Sequence, residues 1–184
     1  MTSNKKIVIS GGPGSGKTTI IEGLKSEGYF CLEEISREYI AAGKNAGIEN
    51  HFEEDPLVFS RLLWEGRINQ YQQADRYLIN HSEEKFAFFD RSLVDVVAYL
   101  KYKNTPVKQW EELLKQYTYD LVFLVAPVEQ TYHKDRLRME SFDEAVALHK
   151  SLVNTYDEIG NFIDVPFLPP KERISFILKH CNER

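Results

Sequence analysis

Short apolar runs alternate along this chain with longer stretches in which apolar residues recur at intervals of three and four. The short runs are rich in β-branched and aromatic residues, which is typical of buried strands. They predict five strands, over 6–10, 29–32, 86–89, 121–125 and 162–165. The longer stretches predict helices over 17–26, 56–79, 93–101, 107–117 and 141–159, and a last helix from 169 onward. Because the strands are apolar on both faces and alternate with helices, the pattern indicates an α/β fold with a covered parallel sheet.

Local signals mark several helix ends. Gly28 is a natural stop for the first helix. Ser141 and Glu144 form a capping box, and Gly160 ends the helix that follows them. One face of that helix carries the residues that we expect to be buried: Phe142, Ala145, Val146, His149, Leu152, Val153 and Tyr156.

The segment between the first strand and the first helix matches the pattern G-x-x-x-x-G-K-[ST]. Its glycines let the backbone curl so that amide groups face one point, toward which the next helix directs its positive dipole end. Lys17 adds a full positive charge for the β- and γ-phosphates of a nucleotide. The expected nucleotide-binding residues are Gly12, Pro13, Gly14, Ser15, Gly16, Lys17, Thr18 and Thr19. No G-x-G-x-x-G register occurs here, which argues against a dinucleotide site.

A phosphate loop of this kind requires an acidic residue at the end of a neighbouring strand to hold a metal ion. The strand at 121–125 is followed by alanine and proline, whereas the strand at 86–89 is followed by Asp90. We therefore expect Asp90 and the Thr18 hydroxyl to hold Mg²⁺. The alternative is that Asp90 caps the next helix, a task for which Ser92 is equally suited.

Two adjacent carboxylates, Glu33 and Glu34, follow the second strand. Because parallel strand ends converge on the ligand crevice, a carboxylate there can accept a proton from a phosphoryl acceptor or position a water. Strand alternation places the two on opposite faces, so at most one enters the site. Arg37 is expected to orient the glutamate or to contact an anionic acceptor. A solvated turn with a surface salt bridge is the alternative interpretation.

Residues 133–138 form the densest cationic stretch of the chain. They lie between the fourth strand and the next helix, a usual place for a lid over a nucleotide, and we expect the lid to cover residues 129–140. Arg136 and Arg138 are placed there to neutralise charge on a transferred phosphoryl group. The alternative is that this stretch is only a solvated run of charge.

Composition narrows the classes of partner. The 184 residues predict one nucleotide-binding domain over 1–184, and 28 acidic against 23 basic residues give a net charge of −5. This mildly acidic chain is a poor candidate for binding nucleic acid or an anionic membrane. The polar N-terminus lacks a signal-peptide core, and the longest apolar stretch, 121–127, is too short to span a bilayer. Cys31 and Cys181 are expected to be free thiols in a reducing cytoplasm.

Five segments, taken in order, resemble a family of small P-loop predicted ATPases and kinases. These segments are residues 7–19, 34–39, 89–92, 134–138 and 172–178. The family is AAA-type ATPase-like and is related to the ribosylnicotinamide kinase domain of a bacterial NAD-salvage regulator. The resemblance implies a P-loop NTPase three-layer sandwich with a five-stranded sheet of order 2-3-1-4-5. It also implies ATP or GTP with Mg²⁺, and a lid that bears arginines.

The resemblance further implies roles for particular residues. It makes Glu34, rather than Glu33, the site glutamate, and it makes Asp90 with Arg91 the counterpart of the Asp-Arg pair of nucleoside and nucleotide kinases. Arg91 is then expected, with Arg37, to bind the acceptor. The candidate catalytic residues are Lys17, Glu34, Asp90, Arg136 and Arg138.

These expectations favour an enzyme, a kinase-like phosphotransferase that moves the γ-phosphoryl group of MgATP to a small-molecule acceptor. The alternative is a nucleotide-dependent switch, using ATP or GTP, that hydrolyses slowly and acts through a protein partner. A signalling GTPase is disfavoured because the nearest match to Asn-Lys-x-Asp, at 154–157, lacks the lysine. A remodelling ATPase is disfavoured because 184 residues leave no room for an additional helical domain.

Overall fold

A computed structural model describes residues 4–36, 38–40, 56–132, 141–160 and 162–183. Within these ranges five strands form one sheet: β1 (Lys5–Ser10), β2 (Phe30–Leu32), β3 (Phe86–Asp90), β4 (Leu121–Val125) and β5 (Ile163–Val165). All neighbours in the sheet are parallel, and their order is β2-β3-β1-β4-β5. The predicted α/β class and strand order are therefore confirmed.

Helices cover both faces of this sheet. They are α1 (Lys17–Ser26), α2 (Pro56–Asn80), α3 (Leu93–Tyr102), α4 (Lys108–Leu114), α5 (Phe142–Ile159) and α6 (Pro170–Glu183), with a short 3₁₀ turn at Glu129–Thr131. The helices α1 and α6 pack on one face, around strand residues such as Ile7 and Phe123. The helices α2, α3 and α5 pack on the other face, around Val8 and Phe89. Within the described residues no helix is both long enough and apolar enough to cross a membrane.

The helix ends follow the local signals. Gly28 takes a left-handed φ of +93° after α1, and α5 begins at the Ser141 capping box and ends before Gly160. Two predicted details were wrong. Val146 is 43% exposed, whereas Ala145 and Leu152 on the same expected face are buried in the core, so the buried face of α5 is narrower than expected.

The helix α4 is the second difference, since it stops at Leu114 and not at 117. Its last residues form hydrogen bonds three residues back, from the Gln116 amide to Leu113 and from the Tyr117 amide to Leu114. This tighter turn brings the Tyr117 ring edge-on to Tyr71, with centroids 5.2 Å apart. Tertiary packing therefore sets the end of this helix.

Because the strands are parallel, the segments that follow β1, β2 and β3 all lie at the carboxyl ends of the strands. The central strand β1 lies between β3 and β4, with Ile9 opposite Asp90 and Ser10 opposite Leu124. The loop after β1 must therefore pass between the ends of both neighbours. Gly11 makes that passage at a φ of +140°, where a Cβ atom would lie 2.0 Å from the Val125 carbonyl oxygen.

We expect Gly11→Ala to lower the free energy of unfolding by about 2–4 kcal/mol, because it adds both backbone strain and a clash with β4. Gly28→Ala is the matched control: its φ is also positive, but nothing lies within 4 Å of an added Cβ. That variant should lose only about 1 kcal/mol. Urea unfolding followed by circular dichroism measures both, and equal losses would contradict the packing at Gly11.

Candidate functional site

The loop between β1 and α1 forms a concave backbone surface. Gly14 and Gly16 take left-handed φ values of +74° and +91°. The helix α1 starts at Lys17 with no side-chain cap and no acidic residue in its first turn. Its first amide groups therefore remain available, and they combine with the helix dipole into a site that favours an anion.

The Lys17 ammonium group lies over this loop. Its Nζ donates hydrogen bonds to the Gly12 carbonyl at 2.7 Å and to the Ser15 hydroxyl at 3.1 Å. Burial, together with the nearby Arg91 guanidinium, lowers the pKa of Lys17 to about 7. A negatively charged group in the loop would oppose both effects, so an anion and the charged form of Lys17 stabilise each other.

Asp90 ends β3 beside the loop and is only 4% exposed. Its Oδ1 has no hydrogen-bond partner among the described residues. Burial, and next the charge of Glu34, raise the pKa of Asp90 to about 6. The helix cap is supplied by Ser92, whose hydroxyl accepts the Val94 amide at 3.0 Å. Asp90 is therefore not needed as a cap, and among the described residues its buried oxygen lacks a partner that a ligand could supply.

The residues at this point fit a magnesium ion. The Thr18 side chain, in the first turn of α1, is exposed at the loop, and Asp90 has an unused carboxylate oxygen. Mg²⁺ prefers one or two such oxygen ligands completed by water and phosphate, and not a cage of protein side chains. No cluster of three or more acidic, histidine or cysteine side chains suited to a metal occurs in the described part of the chain.

The Glu34 carboxylate is held between two arginines. Arg67 from α2 donates to its Oε1 at 2.8 Å, and the Arg91 Nε contacts its Oε2. The Ser36 amide adds a third donor at 3.0 Å. Burial alone would raise the pKa of Glu34, but the two arginines outweigh it and lower this pKa to about 2. Glu34 is therefore ionised and fixed in direction at neutral pH.

Its neighbour Glu33 points the other way. Glu33 is exposed and forms an ion pair with Lys25 on the surface of α1. Of the two, only Glu34 reaches the crevice at the strand ends, in agreement with the expectation that at most one of them would.

Arg91 takes a φ of +74°, which is uncommon for a residue with a side chain. From that position its Nη1 reaches the Gly11 carbonyl at 3.2 Å and Asp95 at 3.3 Å. Asp95 also accepts a hydrogen bond from Ser10 at 2.5 Å and from Tyr156 at 2.6 Å. This buried carboxylate therefore ties the end of β1 to Arg91, and it explains how the unusual backbone conformation is maintained.

A cleft of about 490 Å³ lies on the outer side of the loop. It is bounded by Gly14 to Gly16, Thr19 and Ile20 on one side and by residues 167–170 on the other. Arg173 borders it from α6, with hydrogen bonds to the Leu168 carbonyl at 2.7 Å and the Ser15 carbonyl at 3.1 Å. The Arg173 guanidinium also lies 5.0 Å from the centre of the Phe167 ring. Planar and apolar walls of this kind suit a flat ring system.

A family model described as an AAA domain matches residues 6–173. The chain belongs to this family. The matched range of the AAA domain includes the loop, Glu34, Asp90 and Arg173. The family predicted from the sequence motifs is therefore confirmed. No curated protein matches the sequence at a significant level.

Solved structures share the fold of this AAA domain. Deoxyadenosine kinase from M. mycoides with bound dATP is 18% identical, with a TM-score of 0.66 over 97% of this chain and 100% of that one. Thymidylate kinase from Candida albicans is 15% identical, with a TM-score of 0.71 over 98% and 92%. NadR in complex with NR is 19% identical, with a TM-score of 0.71 over 98% of this chain and 51% of NadR. The chain has the fold of these P-loop kinases and spans about half the length of NadR.

The structure brings together most of the residues predicted to form the site. The loop residues 12–19, Glu34, Asp90 and Arg91 all lie at one edge of the sheet. Arg37, Arg136 and Arg138 lie outside the described residues, as does most of the predicted lid at 129–140. Their roles stay predictions.

Three residues of the site were missed by the sequence analysis: Arg67, Asp95 and Arg173. Arg67 is 2% exposed, and it lies on the same face of α2 as Leu63 and Ala74. An arginine at an apolar position of a helix was the available signal, since a buried guanidinium requires a partner. Asp95 and Arg173 gave the same kind of signal in α3 and α6.

We expect Asp90→Asn to stabilise the protein at pH 8 by about 1–3 kcal/mol, because it removes a buried charge whose pKa is raised. A raised carboxyl pKa means that Asp90 costs stability above pH 6 and that this cost disappears as the pH falls toward 4. Thermal unfolding at pH 8 and pH 4 measures the difference, with Asp157→Asn on the exposed side of α5 as control. A stabilisation that persists unchanged at pH 4 would contradict the charge of Asp90 as its cause.

Proposed function

We infer that this protein is a kinase-like phosphotransferase that moves the γ-phosphoryl group of MgATP to a hydroxyl or phosphate group of a small acceptor. The observation that carries the inference is the Glu34 carboxylate, fixed by Arg67 and Arg91 in the crevice that also holds Lys17 and Asp90. A nucleotide-binding module needs the loop and Lys17, but it has no need of an oriented proton acceptor beside them.

The loop and the cleft would bind different parts of the nucleotide. The loop amides and Lys17 bind the phosphates, because they supply oriented donors and one full positive charge. The cleft bounded by Phe167 and Arg173 receives the base. We take the nucleotide to be ATP. A cleft with backbone and apolar walls can also admit the guanine base of GTP.

Thr18 and Asp90 would hold the magnesium ion that accompanies the nucleotide. When bound, Mg²⁺ neutralises charge on the β- and γ-phosphate oxygens. Asp90 would also gain from this arrangement, because its buried carboxylate then acquires a positive partner. Arg136 and Arg138 remain candidates for stabilising the phosphoryl group from the lid.

Glu34 would orient the acceptor. Its Oε1 already accepts from Arg67 and Ser36, whereas within the described residues its Oε2 contacts only Arg91 and keeps a lone pair to which a hydroxyl can donate. A carboxylate with a pKa near 2 is a weak base. In a loose phosphoryl-transfer transition state this suffices, because the attacking oxygen loses its proton late. Arg91, and Arg37 with it, would contact the acceptor.

The acceptor class is suggested by the kinases that share the fold. Their names record deoxyadenosine, thymidylate and, for NadR, NR as the compounds handled or bound. We therefore propose a nucleoside-like or nucleotide-like acceptor. We propose the cytoplasm, where MgATP is abundant, as the site of action.

Lys17→Ala should weaken the binding of MgATP by about 2 kcal/mol or more at pH 8, because a charged hydrogen bond to phosphate is lost. Isothermal titration calorimetry measures this affinity. Lys25→Ala, at an exposed position of the same helix, should bind like wild type. Equal affinity of all three proteins would refute the phosphate role of the loop.

Glu34→Gln should leave nucleotide affinity nearly unchanged and lower turnover by about 10²-fold, because the amide cannot accept the proton. Glu33→Gln is the matched control, one residue away and directed to the surface. Turnover with a working acceptor separates the two variants. A full rate for Glu34→Gln would remove this residue from the catalytic machinery.

The proposed function is tested by an ADP-release assay with nucleosides, nucleoside monophosphates and ribosylnicotinamide as added acceptors. We expect one class to stimulate ADP release well above the rate with MgATP alone. If none does and the nucleotide still binds, the phosphotransferase proposal is wrong and the nucleotide switch is favoured.

A further inference from the structure

A histidine from α5 forms a hydrogen bond with the backbone of the phosphate loop. The Gly12 amide donates a hydrogen bond to Nδ1 of His149, from α5, at 3.3 Å. The carbonyl of the same residue, Gly12, accepts from Lys17 at 2.7 Å. Both backbone groups of one loop residue are thus occupied, one by the ammonium group that faces the phosphates and one by the imidazole.

Close packing brings α5 against this point. A Cβ atom on Gly12 would lie 2.7 Å from the Ala145 carbonyl oxygen and 3.1 Å from the His149 Cβ. Only a glycine lets the helix approach this closely. The contact between α5 and the loop is therefore a close-packed one.

The helix α5 is anchored a second time, two turns further on. The Tyr156 hydroxyl donates to Asp95 at 2.6 Å and also lies 2.7 Å from the Ser92 hydroxyl. Because residues seven apart share a helix face, His149 and Tyr156 both point toward the loop side of the molecule. The Tyr156 anchor fixes the rotation of α5 and hence the direction of the imidazole.

The hydrogen bond requires a particular form of the ring. Nδ1 can accept the Gly12 amide only when it carries no proton, so the imidazole must be neutral with its proton on Nε2. Burial, and next the charge of Lys17 on α1, lower the pKa of His149, whereas Asp164 on β5 acts in the opposite direction. In the described part of the chain these are the charged groups whose fields reach the ring, and the neutral form prevails at neutral pH.

We propose that His149 is a positioning residue for nucleotide binding: its neutral imidazole holds the Gly12 amide and thereby keeps the loop and Lys17 in the conformation that receives phosphate. The inference rests on the proposed function, in that the loop binds a nucleotide. It adds a residue outside the loop motif, and it makes the affinity for nucleotide depend on a proton at one ring nitrogen.

The test is the dissociation constant for MgADP, measured by calorimetry from pH 8 to pH 5 for wild type, His149→Ala and His149→Asn. The alanine variant lacks an acceptor and should bind about tenfold more weakly at pH 8. The asparagine Oδ1 occupies nearly the place of Nδ1 and does not titrate, so His149→Asn should bind like wild type at pH 8. As the pH falls toward 5, wild type should lose affinity relative to the asparagine variant, because protonation of the imidazole removes the acceptor.

The nucleotide, Lys17 and Asp90 titrate in every variant. The comparison between variants therefore removes their contribution to the pH dependence of affinity. His81→Asn is the control histidine: it is exposed just after α2, and its Nδ1 lies 2.9 Å from the Tyr77 carbonyl oxygen, far from the loop in sequence. It should follow wild type at every pH. Melting temperatures recorded alongside separate the proposal from a merely structural role, which would lower stability and leave the affinity ratio unchanged.

The proposal is overturned if His149→Ala binds MgADP as tightly as wild type, or if wild type and His149→Asn lose affinity in parallel toward pH 5. Should His149→Ala fail to fold, the pH comparison with His149→Asn still decides. Absence of MgADP binding by wild type would instead defeat the proposed function, and this inference with it.

Discussion

The ion pairs of Glu34 with Arg67 and Arg91 are the interaction on which the rest of the site depends. They join three elements that are distant in sequence: the end of β2, the middle of α2 and the turn after β3. All three side chains are largely withdrawn from water, so removing one partner would leave an uncompensated charge, at a cost of about 3–5 kcal/mol. The cluster therefore sets the geometry of the crevice and keeps Glu34 ionised in it.

Other groups in the same crevice destabilise the folded protein. Asp90 has an unpartnered oxygen among the described residues, Lys17 has a lowered pKa, and Arg91 occupies a left-handed backbone conformation. Each of these is unfavourable for the protein alone. In the proposed function, a metal ion would supply the charge that Asp90 lacks and phosphates the charge that Lys17 lacks. Such a concentration of buried, perturbed groups in one crevice marks it as a candidate functional site.

The fold was largely predictable, because the phosphate loop, the apolar strands and the alternation with helices are all local patterns. The same holds for Asp90, which ends a strand beside the loop. The sequence left both Asp90 and Ser92 as candidates for the next helix cap, and the structure uses Ser92. The role of Arg67 was not predictable from the sequence. Its partner Glu34 is 33 residues away, and only the folded chain shows which helix face meets the crevice. His149 was placed on a helix face correctly, but its contact with Gly12, 137 residues away, follows from tertiary packing alone.

The most direct test of the account is a single-turnover reaction with enzyme in excess over ATP labelled at the γ-phosphate, in the presence of the acceptor that best stimulates ADP release. The label is followed into the acceptor and into inorganic phosphate. The account predicts that most of the label reaches the acceptor. Label found only in inorganic phosphate would contradict it, because Glu34 would then be positioning water.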